Sequence, residues 1–131
     1  MLLSKTPFRI SFAGGGSDYF NDSSSIKGRV IVTTINKYIY VALNKRHNKE
    51  IRISYSETEI EKSLNKIKHQ IIRESLRNYN IKNGIEIVTV ADIPSSGSGL
   101  ASSSALTVGL VNLIYNLKNK KITSKNLAKE A

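Results

Sequence analysis

Cysteine is absent from the 131-residue sequence, which excludes disulfides and thiolate metal sites outright. Histidine occurs only at His47 and His69, each in a stretch rich in Lys, Asn or Gln, so a histidine-based metal site is not expected either. Acidic side chains are scarce: 10 Asp and Glu stand against 20 Lys and Arg, giving a net charge of +10 and a pI near 9.9. No apolar run approaches the roughly 20 residues needed to span a bilayer. The opening Met1-Leu2-Leu3-Ser4-Lys5 lacks the charged, then apolar, then small layout of a signal peptide, so the chain reads as cytoplasmic and free of the membrane.

A basic excess concentrates anions near a protein, which makes nucleic acid, phosphorylated metabolites and acidic surfaces candidate partners. Here the cations are scattered. The densest patch, Lys45-Arg46-His47 with Lys49 and Arg52, sits at an expected hairpin turn without interleaved aromatics and reads as a solvated face. At 40% hydrophobic and 23% charged the composition is that of an ordinary globular chain, and 131 residues suit one domain, 1–131. No internal repeat or low-complexity linker divides it.

Phe8 to Phe12 alternates apolar and polar residues as a half-buried strand does. The run Ala13-Gly14-Gly15-Gly16-Ser17-Asp18 breaks it. Arg29 to Ile35 reads as a β-branched strand, Asn36-Lys37 as a turn, Tyr38 to Leu43 as a second strand and Ile51 to Tyr55 as a third, together an antiparallel meander. Ser56-Glu57-Thr58-Glu59 then has the spacing of a helix capping box. Apolar residues follow at Ile60, Leu64, Ile67, Ile71, Leu76 and Tyr79, and Asn83-Gly84 supplies a stop, which predicts one long amphipathic helix. Ile85 to Val90 is a strand, Leu100 to Leu117 a buried helix, and Thr123-Ser124 caps a last helix from Lys125. Seven residues are marginal for an isolated helix, so the natural protein is expected to continue or the chain to be a fragment. Strands first, then helix, strand and helix, predict an α+β domain with a mainly antiparallel sheet and helices on one face.

The sharpest feature is Pro94-Ser95-Ser96-Gly97-Ser98-Gly99-Leu100-Ala101-Ser102-Ser103-Ser104-Ala105. A strand enters a Gly/Ser loop that opens an apolar helix, which turns free backbone N–H groups and the positive end of the helix dipole toward the loop, a ready site for phosphate. Gly97 and Gly99 allow close backbone approach. The serine hydroxyls can donate to phosphate oxygens or join a Mg²⁺ shell, since hard cations take oxygen ligands. Two better-known phosphate loops do not fit: no lysine occurs between Lys82 and Lys118, and Ser102 stands where a dinucleotide fingerprint needs its third glycine. A plain strand-to-helix connection with serines competing for the N-cap remains the other reading of the residues alone.

The segment 94–105 resembles the ATP-binding loop of the GHMP kinases, with Ala101 in place of a family glycine and Ser104 in place of an alanine. A helical backbone at Ala101 would make its methyl group cheap. The N-terminal run Thr6-Pro7-Phe8-Arg9-Ile10-Ser11-Phe12-Ala13-Gly14-Gly15-Gly16-Ser17-Asp18-Tyr19 resembles the family's first motif, in the form closest to the D-glycero-D-manno-heptose 7-phosphate kinase and fucokinase-like branch. Two motifs in order are more specific than either alone, and the resemblance covers essentially the whole chain, as an N-terminal domain without its C-terminal partner domain. It implies a ribosomal protein S5 domain 2-like fold and an ATP- and Mg²⁺-dependent small-molecule kinase. The expected acceptor is a sugar or sugar phosphate, with D-glycero-D-manno-heptose 7-phosphate phosphorylated at the anomeric hydroxyl as the best match. Gly97, Ser98, Gly99, Leu100, Ala101, Ser102 and Ser103 would wrap the nucleotide phosphates, with Ser103 as Mg²⁺ ligand. Arg9 would face the transferred phosphoryl group, and Gly15, Gly16, Ser17 and Asp18 would shape the sugar pocket. The family's catalytic aspartate and metal-binding glutamate are expected beyond residue 131; Glu130 does not match the glutamate position, and the isolated chain is expected to show no turnover. Two other readings are a basic RNA-binding module of similar fold, against which stands the lack of an aromatic-and-basic surface, and an inactive remnant of a kinase gene.

Overall fold

The computed structural model describes residues 1–16, 28–94 and 98–131; Ser17, Asp18 and Gly97 lie outside the described residues. Five strands form one sheet: β1 (Leu2–Ala13), β2 (Ile31–Lys45), β3 (Ile51–Ser54), β4 (Thr58–Glu61) and β5 (Ile85–Ala91), in the spatial order β1-β2-β5-β3-β4. Among the described residues only the β3–β5 pairing is parallel. The expected meander is therefore wrong in one respect, since β5 inserts between β2 and β3. The connection after β2 crosses the start of β5, where Arg46 N–H donates to the Gly84 carbonyl and Gly84 N–H to the Glu50 carbonyl (2.9 and 3.1 Å).

The turn expected at Asn36-Lys37 is instead a bulge in one continuous strand. Pro7 stands opposite Tyr38 and Arg9 opposite Thr34, so residues 35–37 of β2 stand against the single Phe8. Phe8 is buried in the core, which holds the two strands together across the irregularity. Only Ile39–Lys45 of β2 continue onto β5. Arg9–Ala13 with Ile31–Thr34 thus form a two-stranded ribbon projecting past the rest of the sheet.

The capping-box reading of 56–59 is also corrected. Thr58-Glu59-Ile60-Glu61 alternates, pairs with β3 and leaves Ile60 on the open face, while the helix α1 begins twelve residues after Thr58 and spans Gln70–Asn78. Glu59 does cap, but at a distance in sequence. Its buried carboxylate accepts Lys68 N–H (2.6 Å), His69 N–H (3.1 Å) and the Tyr55 hydroxyl (3.0 Å), just before α1 starts. Burial alone would raise this carboxyl; the three donors outweigh it and hold its pKa below the ordinary glutamate value. The helix stops at Asn80 rather than at Asn83-Gly84. Asn80 takes a left-handed φ of 56°, and Ile81 N–H reaches back to the Leu76 carbonyl, the 6→1 bond of a Schellman motif.

Helix α2 (Ser102–Leu117) buries Leu106, Leu110, Leu113 and Ile114 against Phe8, Val41 and Leu43, and α1 adds Ile72 and Leu76 over Ile51, Ile53, Ile85 and Ile87. All these sheet residues point to one face, so the helices share one side of the sheet. At Gly109 the helix comes so close that a Cβ would lie 2.9 Å from both Ser4 Oγ and Thr6 Oγ1. Helix α3 (Ser124–Glu130) is short and docks by a clasp: Glu130 accepts the hydroxyls of Tyr79 (2.6 Å) and Tyr115 (2.7 Å). That tertiary anchor supplies what seven residues lack on their own.

Candidate active site

Helix α2 opens in an unusual way. Its N-cap is Ala101, not one of the serines, with φ 57° and ψ 39°, the left-handed region that an L-residue other than Asn or Asp seldom enters. The expectation of a helical backbone here is thus overturned, and the glycine that the motif prefers at this position has its physical reason. Among the described residues no side chain caps the helix, and its first turn contains no acidic residue. The N-cap position thus falls to Ala101 rather than to a serine, contrary to the plain strand-to-helix reading. Gly99 is also left-handed at φ 65°, with open space where a side chain would project. Leu100 N–H donates weakly to Ser98 Oγ (3.5 Å), and the Leu100 carbonyl accepts Arg9 N–H (3.3 Å), which ties the loop's exit to β1.

The first turn of α2 lies between two clefts. Ser102 and Ser103 line one of about 470 Å³, whose other walls include Tyr55, Ser56, His69 and Pro94. Ala101 and Ser104 line the second, of about 430 Å³, with Thr6, Arg9, Thr34 and Ala128. Residues two apart in a helix are turned by about 200°, so Ser102 and Ser104 address opposite sides, and Ser103 between them falls to the first cleft. Of the residues singled out from the sequence, the structure gathers Ser102 and Ser103 in one cleft and Arg9 with Ala101 in the other. Gly15 and Gly16 form the turn after β1 and line neither cleft, with Gly16 at φ 90°. Arg9 is exposed on β1.

Sequence reasoning did not find Tyr55, Ser56 or His69 as lining residues. The cleft joins a hairpin, a helix start and a loop far apart in the chain, a juxtaposition that no local pattern announces. His69 is the most chemical of them. It caps α1, its Nδ1 accepting Ile72 N–H (3.5 Å), which leaves the ring proton on Nε2. Its ring meets Tyr55 edge-on at 4.9 Å. Burial pushes the imidazole pKa below its ordinary value, against the opposing pull of its backbone hydrogen bond and of Glu59, so the ring is neutral at pH 7.

Among the described residues no group of three or more His, Cys, Asp or Glu could hold a metal ion. A divalent cation here would be held by serine oxygens together with a ligand's own oxygens, which suits Mg²⁺ rather than Zn²⁺. Glu130 is committed to its two tyrosines. Among the described residues no helix is long and apolar enough to cross a membrane.

The profile of the GHMP kinases N terminal domain matches residues 64–131. The D-glycero-alpha-D-manno-heptose 7-phosphate kinase of Campylobacter jejuni is 31% identical over 142 residues, spanning 99% of this chain and 42% of that protein. A D-glycero-D-manno-heptose 1-phosphate kinase from Bacteroides thetaiotaomicron superposes with a TM-score of 0.79 at 24% identity, over 98% of this chain and 45% of that one. The Methanococcus jannaschii mevalonate kinase gives a TM-score of 0.72 at 22% identity, over 98% of this chain and 44% of that one. The chain spans less than half the length of these relatives. Their shared architecture is the ribosomal protein S5 domain 2-like α+β fold seen here. With the profile covering more than half of its residues, this chain belongs to the GHMP kinase family.

Proposed function

We propose that this chain is the nucleotide-binding part of a sugar kinase that transfers a phosphoryl group from ATP, with Mg²⁺, to a sugar or sugar phosphate. D-glycero-D-manno-heptose 7-phosphate, phosphorylated at its anomeric hydroxyl, is the favoured acceptor, from the likeness to the Campylobacter jejuni enzyme. The observation that carries the reading is the start of α2, which has no side-chain cap and no acidic residue in its first turn and stands between two clefts. Such a terminus attracts and binds anionic oxygens.

In this reading the nucleotide phosphates rest on the loop from Gly97 to Ser103, with the N–H groups of the first helical turn and the hydroxyls of Ser98, Ser102 and Ser103 donating to them. The cleft with Tyr55 and His69 receives the nucleoside. Ser103 is the protein's ligand to Mg²⁺, which, when bound, neutralises charge on the phosphates. Arg9, in the other cleft, offsets the negative charge that spreads over the equatorial oxygens during transfer. Gly15, Gly16, Ser17 and Asp18 hold the sugar, with the Asp18 carboxylate accepting from its hydroxyls. The excess of basic residues favours an acceptor that already carries phosphate.

Calorimetric titration with ATP and Mg²⁺ tests this. Saturable binding is expected, weakened about tenfold by Ser103→Ala, which removes a charge-assisted contact. Gly99→Val should weaken it comparably, through a backbone that valine cannot adopt. RNA binding with a steep salt dependence and no response to ATP would overturn the proposal.

A further inference from the structure

Asp92 has no assigned role, yet its contacts single it out. It follows β5 directly and stands at the entrance of the phosphate loop. Tyr38 N–H donates to Asp92 Oδ2 (2.8 Å), and Asp92 N–H donates back to the Tyr38 carbonyl (2.9 Å). Tyr38 is itself braced, with Lys5 Nζ 3.9 Å above its ring. At the loop's other end, the Leu100 carbonyl accepts Arg9 N–H (3.3 Å). Tyr38 and Arg9 stand on either side of the same irregularity, where residues 35–37 bulge against Phe8. Entrance and exit of the loop are thus fastened to one short stretch of the β1–β2 ladder.

We infer that Asp92 is a positioning residue: its carboxylate fixes the end of β5 on Tyr38, so that the backbone donors of Ser98 to Ser103 are held where they meet the nucleotide phosphates. This rests on the function proposed above. A flexible loop must be immobilised when its ligand binds, and a fastened one has lost that freedom beforehand. Asp92 need touch no ligand for the effect.

The test compares affinity for ATP with Mg²⁺ and thermal stability in the full 131-residue chain. Asp92→Ala should weaken nucleotide affinity about tenfold and speed hydrogen exchange at the Tyr38 amide. Asp92→Asn, whose side-chain oxygen still accepts from Tyr38, should recover most of the loss. A merely structural aspartate would lower the melting temperature and leave the affinity of the folded protein unchanged, which would overturn the inference. Should the alanine variant fail to fold, Asp92→Glu displaces the carboxylate by one methylene while keeping its charge, and unchanged affinity there would overturn it equally. If the unaltered chain binds no nucleotide, the functional reading itself fails and the inference with it. Binding by the unaltered chain with equal binding by the alanine variant defeats the inference alone.

Discussion

Replacing Ala101 by glycine should make the protein more stable, contrary to the usual effect of glycine inside a helix. The residue sits at φ 57° and ψ 39°. A left-handed backbone costs an L-residue about 1–2 kcal/mol, because Cβ crowds the following carbonyl. Glycine escapes that cost but gives up about 0.5–1 kcal/mol of extra chain entropy on folding. The balance is a gain of about 0.5–1 kcal/mol, or roughly 2–4 °C in melting temperature for a domain of this size. Valine at the same position should do the reverse, losing more than 1 kcal/mol, since β-branching aggravates the crowding. Melting followed by circular dichroism on the three proteins decides the matter. A lower melting temperature for Ala101→Gly, with Ala101→Val no worse than the unaltered chain, would mean that Ala101 is helical in solution and would refute the reasoning.

Gly109→Ala should destabilise by about 1–3 kcal/mol despite alanine's better helix propensity, because its methyl would stand 2.9 Å from two hydroxyl oxygens; denaturant unfolding measures this. Gly14→Ala should be harsher in a different way. A Cβ there would run into the Arg29 carbonyl at φ 80°, so the turn after β1 must rebuild, and amide spectra should shift around Ala13 and Val30. Stability should fall on acidification. Glu59 and His69 both have lowered pKa values in the folded state, so each contributes stability above its unfolded value that is lost as pH falls through the folded one. The loss should begin below about pH 6.5 with His69 and steepen below about 4.5 with Glu59. Glu59→Gln, which turns an amide N–H₂ toward backbone donors, should cost about 2 kcal/mol at pH 7 and flatten the acid limb of the profile.

The second half of the molecule was largely legible in its residues. Ile85 to Ala91 is β-branched, the loop is rich in Gly and Ser, and α2 is apolar on nearly every side, so length and period agreed on strand, loop and buried helix. Residues 56–69 were not legible, because Thr58-Glu59-Ile60-Glu61 satisfies a capping box and a short alternating strand equally well. Pairing with β3 decides between them, and Glu59 finds its donors at Lys68 and His69 rather than in its own turn. Asn36-Lys37 misled for a related reason: turn-forming residues also suit a bulge, and the burial of Phe8 selects the bulge. At the candidate site, the Gly/Ser loop before α2 stands out in the residues as a local motif, whereas the lining by Tyr55 and His69 follows from tertiary packing. Ala101's conformation was hidden because alanine is ordinarily a helix former, and propensity gives no hint of a strained cap.

Gly109 is seven residues from the start of α2, about 10 Å along the helix axis. A helix is stiff over that length, so the height at which Gly109 rests on Ser4 and Thr6 also sets the height of the helix's working end. The sheet and the loop are joined here as a fulcrum and an arm. A change of one methyl group at the fulcrum would tilt or lift the amide groups of the helix's first turn, a full seven residues away. The height of the helix start is thereby set by a contact between two hydroxyls and a missing side chain, deep inside the domain.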